Sequence, residues 1–200
     1  SWDLIAEPEI KSITQLRGKT IAVMSPEGSL AVVAREILRK NGIDPAGLLL
    51  DNGSDGIVVT GTTGEAPTLS DAERMTLYEA AVDAAAGRGT VIAGTGTNAT
   101  AHSVHLTGQA HELGVDGFLV VTPYYNKPQP RGIVEHYKAI AAASDRPIIV
   151  YNIPQRVVVN IEPETMIELA GIPTVKEVKQ ATEELDQAQR IVDETDLDLY

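Results

Sequence analysis

The chain contains no cysteine, which excludes disulfides and thiolate metal sites and fits a reducing compartment. No basic cluster offsets a formal charge of −12, so phosphate backbones and anionic membranes are poor partners. No apolar run approaches the roughly 18 residues that would cross a bilayer. There is no low-complexity stretch and no linker. The sequence opens at Ser1 with neither a methionine nor a signal peptide, so an excised or engineered piece is expected. What remains is an ordinary soluble composition, 43% hydrophobic and 22% charged, of a length suited to one α/β domain spanning 1–200.

Apolar, β-rich runs begin near Lys19, Gly56, Thr90, Gly117, Pro147 and Thr174. From the second onward they recur about every thirty residues, the size of one βαβ unit. They are continuously apolar rather than alternating, as strands covered on both faces are. Helices fill the gaps. Ser70 and Glu73 form a capping box that opens a helix stopping near Gly87. Pro163 suits the first turn of a helix ending at Gly171. Thr182 is placed to cap a last helix with Leu185, Ala188, Ile191 and Val192 on one apolar face. Short crossovers between such units give a parallel sheet.

The rhythm breaks twice. Between the runs at Lys19 and Gly56 stand two helix-stop signals, Asn41-Gly42 and Asn52-Gly53, and residues 43–50 read as a helix remnant between them. At the other end, Leu197 to Tyr200 begins a further strand. Before the first strong run, Trp2 to Ala6 could be a strand and Ile10 to Leu16 a helix. With those two end strands counted, the number reaches the eight that close a small barrel.

Chemically loaded residues cluster at the strand ends: Gly61-Thr62-Thr63-Gly64-Glu65, Pro123-Tyr124-Tyr125-Asn126, Tyr151 to Arg156, and Val178-Lys179-Gln180. Strand ends on one rim are where parallel α/β folds place their chemistry. A lysine, tyrosines, hydroxyls and an arginine gathered there suit imine chemistry on a small keto acid.

From about residue 48 onward, the strings GTTGE at Gly61, VTPYYNKP at Val121, YNIPQR at Tyr151 and VKQA at Val178 resemble the dihydrodipicolinate synthase and N-acetylneuraminate lyase family. These are barrel enzymes that form a Schiff base with pyruvate. Residues 1–47, on the strings LRGKTIAV and ILRKNGID, resemble a lobe segment of periplasmic solute-binding proteins. The two resemblances together imply an engineered chimera joined near residue 47. Its expected fold is a TIM-barrel-like (βα) barrel assembled from two fragments. The alternative is an open doubly wound parallel α/β sheet.

The lyase resemblance assigns roles residue by residue. Lys179 would carry the imine; an exposed lysine titrates near 10.4, and burial at the rim would free its lone pair. Lys176, an odd number of residues away, is expected on the other face. Tyr151 would relay protons with Thr63 and Tyr125, the last reaching across a dimer contact. Gly61 and Thr62 would hold the pyruvate carboxylate. Arg156 would grip the carboxylate of an aldehyde substrate, which favours the dihydrodipicolinate branch. Val157 and Val158 stand where that branch usually has small polar or glycine residues. Each residue also has a plainer reading: a solvated lysine, a core tyrosine, a strand–helix turn.

Other motifs are weaker. Gly94 to Ala99 fits a dinucleotide fingerprint, but no acid ends the following strand. His102 and His105 lack further ligands of suitable spacing, and with His111 and His136 they read as surface histidines. No cofactor and no metal are expected. Three functions are open: a recombined scaffold retaining the pyruvate site without full activity, an active 4-hydroxy-tetrahydrodipicolinate synthase-like lyase condensing pyruvate with aspartate semialdehyde, or a solute-binding module. A cytoplasmic location, pyruvate as the small-molecule partner and a homodimer complete the expectation.

Overall fold

The computed structural model describes residues 49–50 and 53–200. The expected elements at Trp2–Ala6, Ile10–Leu16 and Lys19, and nearly all of the helix remnant, lie outside the described residues. Within them, six parallel strands form one sheet in the order β1-β2-β3-β4-β5-β6. They are β1 (Gly56–Val59), β2 (Thr90–Gly94), β3 (Gly117–Val121), β4 (Ile148–Asn152), β5 (Val175–Gln180) and β6 (Asp198–Leu199). Every strand falls on an apolar run or on the expected last strand. The helices are α1 (Asp71–Ala85), α2 (Thr100–Glu112), α3 (Pro130–Ala141), a single turn α4 (Pro154–Val157), α5 (Pro163–Ala170) and α6 (Leu185–Glu194).

Strand order decides between the two expected architectures. A doubly wound sheet reverses its order at a switch point and carries helices on both faces. Here each strand lies beside its sequence neighbours, and α1, α2, α3, α5 and α6 pack one against the next in a single layer. Val58 of β1 and Tyr200, just after β6, line one common cavity, so the sheet curls around its helix-free face. This is TIM-barrel curvature. The open doubly wound alternative is not formed.

The two faces divide the side chains cleanly. Val91, Ala93, Phe118, Val120, Ile148, Val150 and Val178 point into the helix layer and, with Tyr137, Met166 and Leu169, make the main core. Leu119 and Tyr151 lie on the inner face with Ile153 and Val157 beyond the strand end. β5 breaks simple alternation. Ile148 pairs with Val175 but Ile149 pairs with Glu177, so Lys176 is the extra residue of a bulge. Lys176 therefore stands unpaired and exposed at the bulge instead of facing away from Lys179 in a regular strand. Beyond it Glu177 and Lys179 both turn inward.

Helix ends follow local chemistry. The Ser70–Glu73 capping box is present, with the Glu73 N–H donating to Ser70 Oγ and the Ser70 N–H donating to Glu73. Its hydrogen bonds to Ser70 hold the Glu73 carboxyl below the ordinary carboxylate range. α1 stops at Ala86, whose φ of 48° takes the left-handed conformation one residue before the expected Gly87. α6 departs from expectation. Gln187 and Ile191 are its buried residues, whereas Leu185 is 78% and Val192 52% exposed. Positions 185 and 192 lie more than about 100° around the helix from the packed stripe. Thr182 accepts the Glu184 N–H at 3.1 Å but stands ahead of the helix, which begins at Leu185.

His136 is not a surface residue. It sits on the inner face of α3, 3% exposed, with Thr100 Oγ1 at 2.9 Å from Nδ1 and the Tyr137 ring edge-on. Its Nε2 has no partner, and burial lowers its pKa from 6.5 to about 4. The folded protein thus holds it neutral. Above pH 6.5 this costs nothing; as pH falls toward 4, the unfolded chain binds a proton that the folded chain refuses, and stability declines. The expected loss across that window is on the order of 3 kcal/mol. Urea unfolding at stepped pH checks it: the wild type should weaken more steeply than His136→Gln below pH 6.5. Equal slopes would clear His136 of the effect.

Candidate active site

The rim begins where β1 ends. Thr60 has a φ of 55°, unusual for a β-branched residue. It is held there from several sides: its hydroxyl meets Tyr78 Oη at 2.8 Å and donates to the Gly94 carbonyl at 3.0 Å. Tyr78 also donates to Gly94 O at 2.9 Å. This anchored kink turns the chain into a 3-10 turn, Thr62–Gly64. The N–H groups of Gly64 and Glu65 close that turn, while those of Thr62 and Thr63 make no backbone hydrogen bond among the described residues. A Cβ at Gly61 would meet the protein only at 3.6 Å or beyond, so the chain's own packing does not demand glycine there. At Gly94 and Gly96 it does: an added Cβ would collide with the Thr60 carbonyl and the Val121 nitrogen. The glycines of the weak dinucleotide-like match thus serve a close approach between neighbouring strand ends.

Lys179 and Tyr151 are register partners on adjacent strands, and Lys179 Nζ lies 4.4 Å from the centroid of the Tyr151 ring. Tyr151 is 5% exposed, and its carbonyl accepts both the Thr122 N–H and the Thr122 hydroxyl. Lys179 itself is exposed, so the burial expected to free its lone pair is not supplied by the described residues. Behind the two strands a polar cluster fixes the rim. Asn152 Nδ2 donates to Asn160 and Gln180, and Gln187 Nε2 donates to the Ile161 carbonyl.

Two cavities meet at Gly61, Thr62, Leu119 and Tyr151. The one of about 330 Å³ holds Thr63, Lys179, Glu177 and Tyr200. The one of about 200 Å³ holds Tyr124, Arg74 and Arg156. Lys179, Tyr151, Gly61, Thr62, Thr63 and Arg156 are therefore brought together on one rim. Tyr125 is not: it is 88% exposed, has a φ of 70°, and lines neither cavity. Val158, at φ 70° and 66% exposed, ends α4 directly after the Arg156 turn, a strained place for a β-branched residue.

Two cavity residues escaped the sequence reading. Arg74 is 4% exposed, its Nη2 donates to the Ala66 carbonyl, and its Nε has no partner. The signal was present in α1, where Arg74 shares its inward face with Tyr78, Ala81 and Ala85. Glu177 stands two residues before Lys179, so strand alternation alone puts it on the face of the lysine, a signal the sequence carried. Burial and the neighbouring Asp198 raise its pKa above the ordinary carboxylate range. The cations Lys179, Arg74 and Arg156 thus gather around one double cavity in a chain of charge −12, an arrangement suited to an anionic organic substrate.

A curled parallel sheet with its helices on one face and a lysine beside a tyrosine on its rim is TIM-barrel architecture with a polar, cation-bearing rim. The chain belongs to the dihydrodipicolinate synthetase family, whose model matches residues 18–200. It is 53% identical over 148 residues to the 4-hydroxy-tetrahydrodipicolinate synthase of Listeria innocua, covering 74% of this chain and 50% of that protein. Against the enzyme of that name from Bacillus subtilis it is 50% identical over 153 residues, covering 76% and 53%. Among solved structures, the dihydrodipicolinate synthase of Aquifex aeolicus superposes with a TM-score of 0.75 at 48% identity, over 77% of this chain and 54% of that one. A chloride-inhibited dihydrodipicolinate synthase from Acinetobacter baumannii, complexed with pyruvate, gives 0.74 at 39% identity, over 78% and 55%. The chain spans about half the length of the curated relatives it matches. The family match starts well before residue 47, so the expected junction falls inside it, and none of these relatives supports a solute-binding segment.

Proposed function

We propose that the chain carries the Schiff-base site of a 4-hydroxy-tetrahydrodipicolinate synthase-like lyase and acts on pyruvate and aspartate semialdehyde. The observation that carries this is the placement of Lys179 Nζ over the Tyr151 ring on a rim shared with Thr62 and Thr63. The double cavity supports a reaction of two anions. A keto acid would meet Lys179 in the larger part, its carboxylate at the Gly61–Thr62 turn. The carboxylate of the aldehyde partner would lie toward Arg156 in the smaller. Tyr151 and Thr63 would pass protons between them. The exposed Tyr125 would join this relay from a second copy of the chain, which makes a homodimer the expected assembly. Among the described residues no helix is long and apolar enough to cross a membrane.

The test is reductive trapping. Incubation with pyruvate and borohydride should leave a pyruvyl adduct on the intact protein by mass spectrometry, and Lys179→Ala should show none. Absence of the adduct in the wild type would overturn the reading. A recombined scaffold without activity is the weaker alternative, because the family match runs through the segment where its junction was expected.

A further inference from the structure

Beyond the bulge at Lys176, Glu177 and Lys179 stand two residues apart on the same inward face of β5, in one cavity with Tyr151, Thr62 and Thr63. The Glu177 carboxyl has no hydrogen-bond or ion-pair partner among the described residues, although it is partly buried. An unpaired acid that faces a cavity next to an amine nucleophile is poorly explained by stability, since burying it costs free energy and no contact repays that cost. The charged and titratable groups around it are Lys179 on its own strand, Tyr151 on β4, Asp198 on β6 and Tyr200 beyond it. Tyr200 reports the same proximity: the charge of Glu177 is the largest cause raising its pKa, and Asp55 at the foot of β1 contributes as well.

We propose that Glu177 is the proton carrier for imine formation at Lys179, a role that rests on the Schiff-base reading above. Glu177 takes one proton from the Lys179 ammonium and exposes the nitrogen lone pair. The amine attacks the ketone carbon, the N–C bond forms, and the carbonyl π pair moves to oxygen. That oxygen takes a second proton from the nitrogen and becomes the carbinolamine hydroxyl. Glu177 then returns its proton to the hydroxyl, the C–O bond breaks, and water leaves as the nitrogen pair closes the iminium. Ammonium and ketone become iminium and water, and the carboxylate is regenerated. A carboxyl raised above its ordinary range suits both halves of this cycle, since it holds the proton long enough to give it back.

The experiment compares wild type, Glu177→Gln and Glu177→Asp by the rate of pyruvyl adduct formation with pyruvate and cyanoborohydride, from about pH 5 to pH 9, and the expected loss in Glu177→Gln is on the order of a hundredfold. Its acid limb should flatten, and Glu177→Asp should recover part of the rate and restore the limb. Glutamine keeps the size of the side chain, and far-ultraviolet circular dichroism of each variant confirms the fold. A Glu177→Gln variant with the wild-type rate and pH profile overturns this role and leaves the Schiff-base site standing. A wild type that forms no adduct overturns both.

Discussion

Phenylalanine in place of Tyr151 is expected to slow deuterium uptake at the methyl group of pyruvate on the order of a hundredfold, because proton transfer by a positioned side chain contributes that much or more. The substitution separates two properties of one residue. The ring stays, so the contact with Lys179 Nζ at 4.4 Å and the packing against Leu119, Ile153 and Val157 are kept. The hydroxyl goes, and with it the group that would move the proton between the imine carbon and the Thr63 side of the cavity. Nuclear magnetic resonance in heavy water follows the exchange directly. The borohydride adduct should still form, since the amine is untouched. A variant that exchanges at the wild-type rate would show that Tyr151 serves only as a platform for the lysine. One that loses the adduct as well would show that the hydroxyl organises the nucleophile.

The second large effect concerns the scaffold. Phe118 is fully buried on the helix-facing side of β3, paired through the ladder with Ala93 and Ile148. It is the single phenylalanine of the chain, and its ring occupies the middle of the sheet, where neighbours on both sides are fixed by register. Truncation to alanine leaves a cavity that such surroundings collapse poorly into, at a cost of about 3–5 kcal/mol. For a chain of this size that is a fall in Tm on the order of 10 °C. Differential scanning calorimetry reads it. A loss below about 1 kcal/mol, the ordinary effect of a point mutation, would mean that the helix layer and the sheet are not locked together at this point.

The apolar runs placed β2, β3 and β4 well because strands in the middle of a parallel sheet leave a nearly continuous hydrophobic record, whereas β5, Val175–Gln180, alternates buried valines with charged residues. Capping chemistry did the same for α1, where Ser70 and Glu73 satisfy each other across the first turn. Of the rim residues that the lyase resemblance names, Gly61, Thr62, Thr63, Tyr151, Arg156 and Lys179 line one double cavity, and Tyr125 does not. What the sequence hid was set by tertiary contacts. An apolar letter at 185 or 192 does not say which side of α6 meets the sheet, and the polar Gln187 took the buried place by donating to Ile161 O. His136 went inward with Tyr137 beside it and a single hydroxyl at its Nδ1. Arg74 was hidden among good helix formers. The register shift at Lys176 is recorded by no propensity.

That shift has a bearing on how the family can vary. Because Lys176 sits outside the ladder, β5 holds one residue of slack. Dropping it would leave Val175, Glu177, Val178 and Lys179 in plain alternation, with the two apolar residues still toward the helices and the acid and amine still toward the hollow. Length changes of one residue in the segment entering β5 can be absorbed there, upstream of Lys179, without turning its amine away from the cavity.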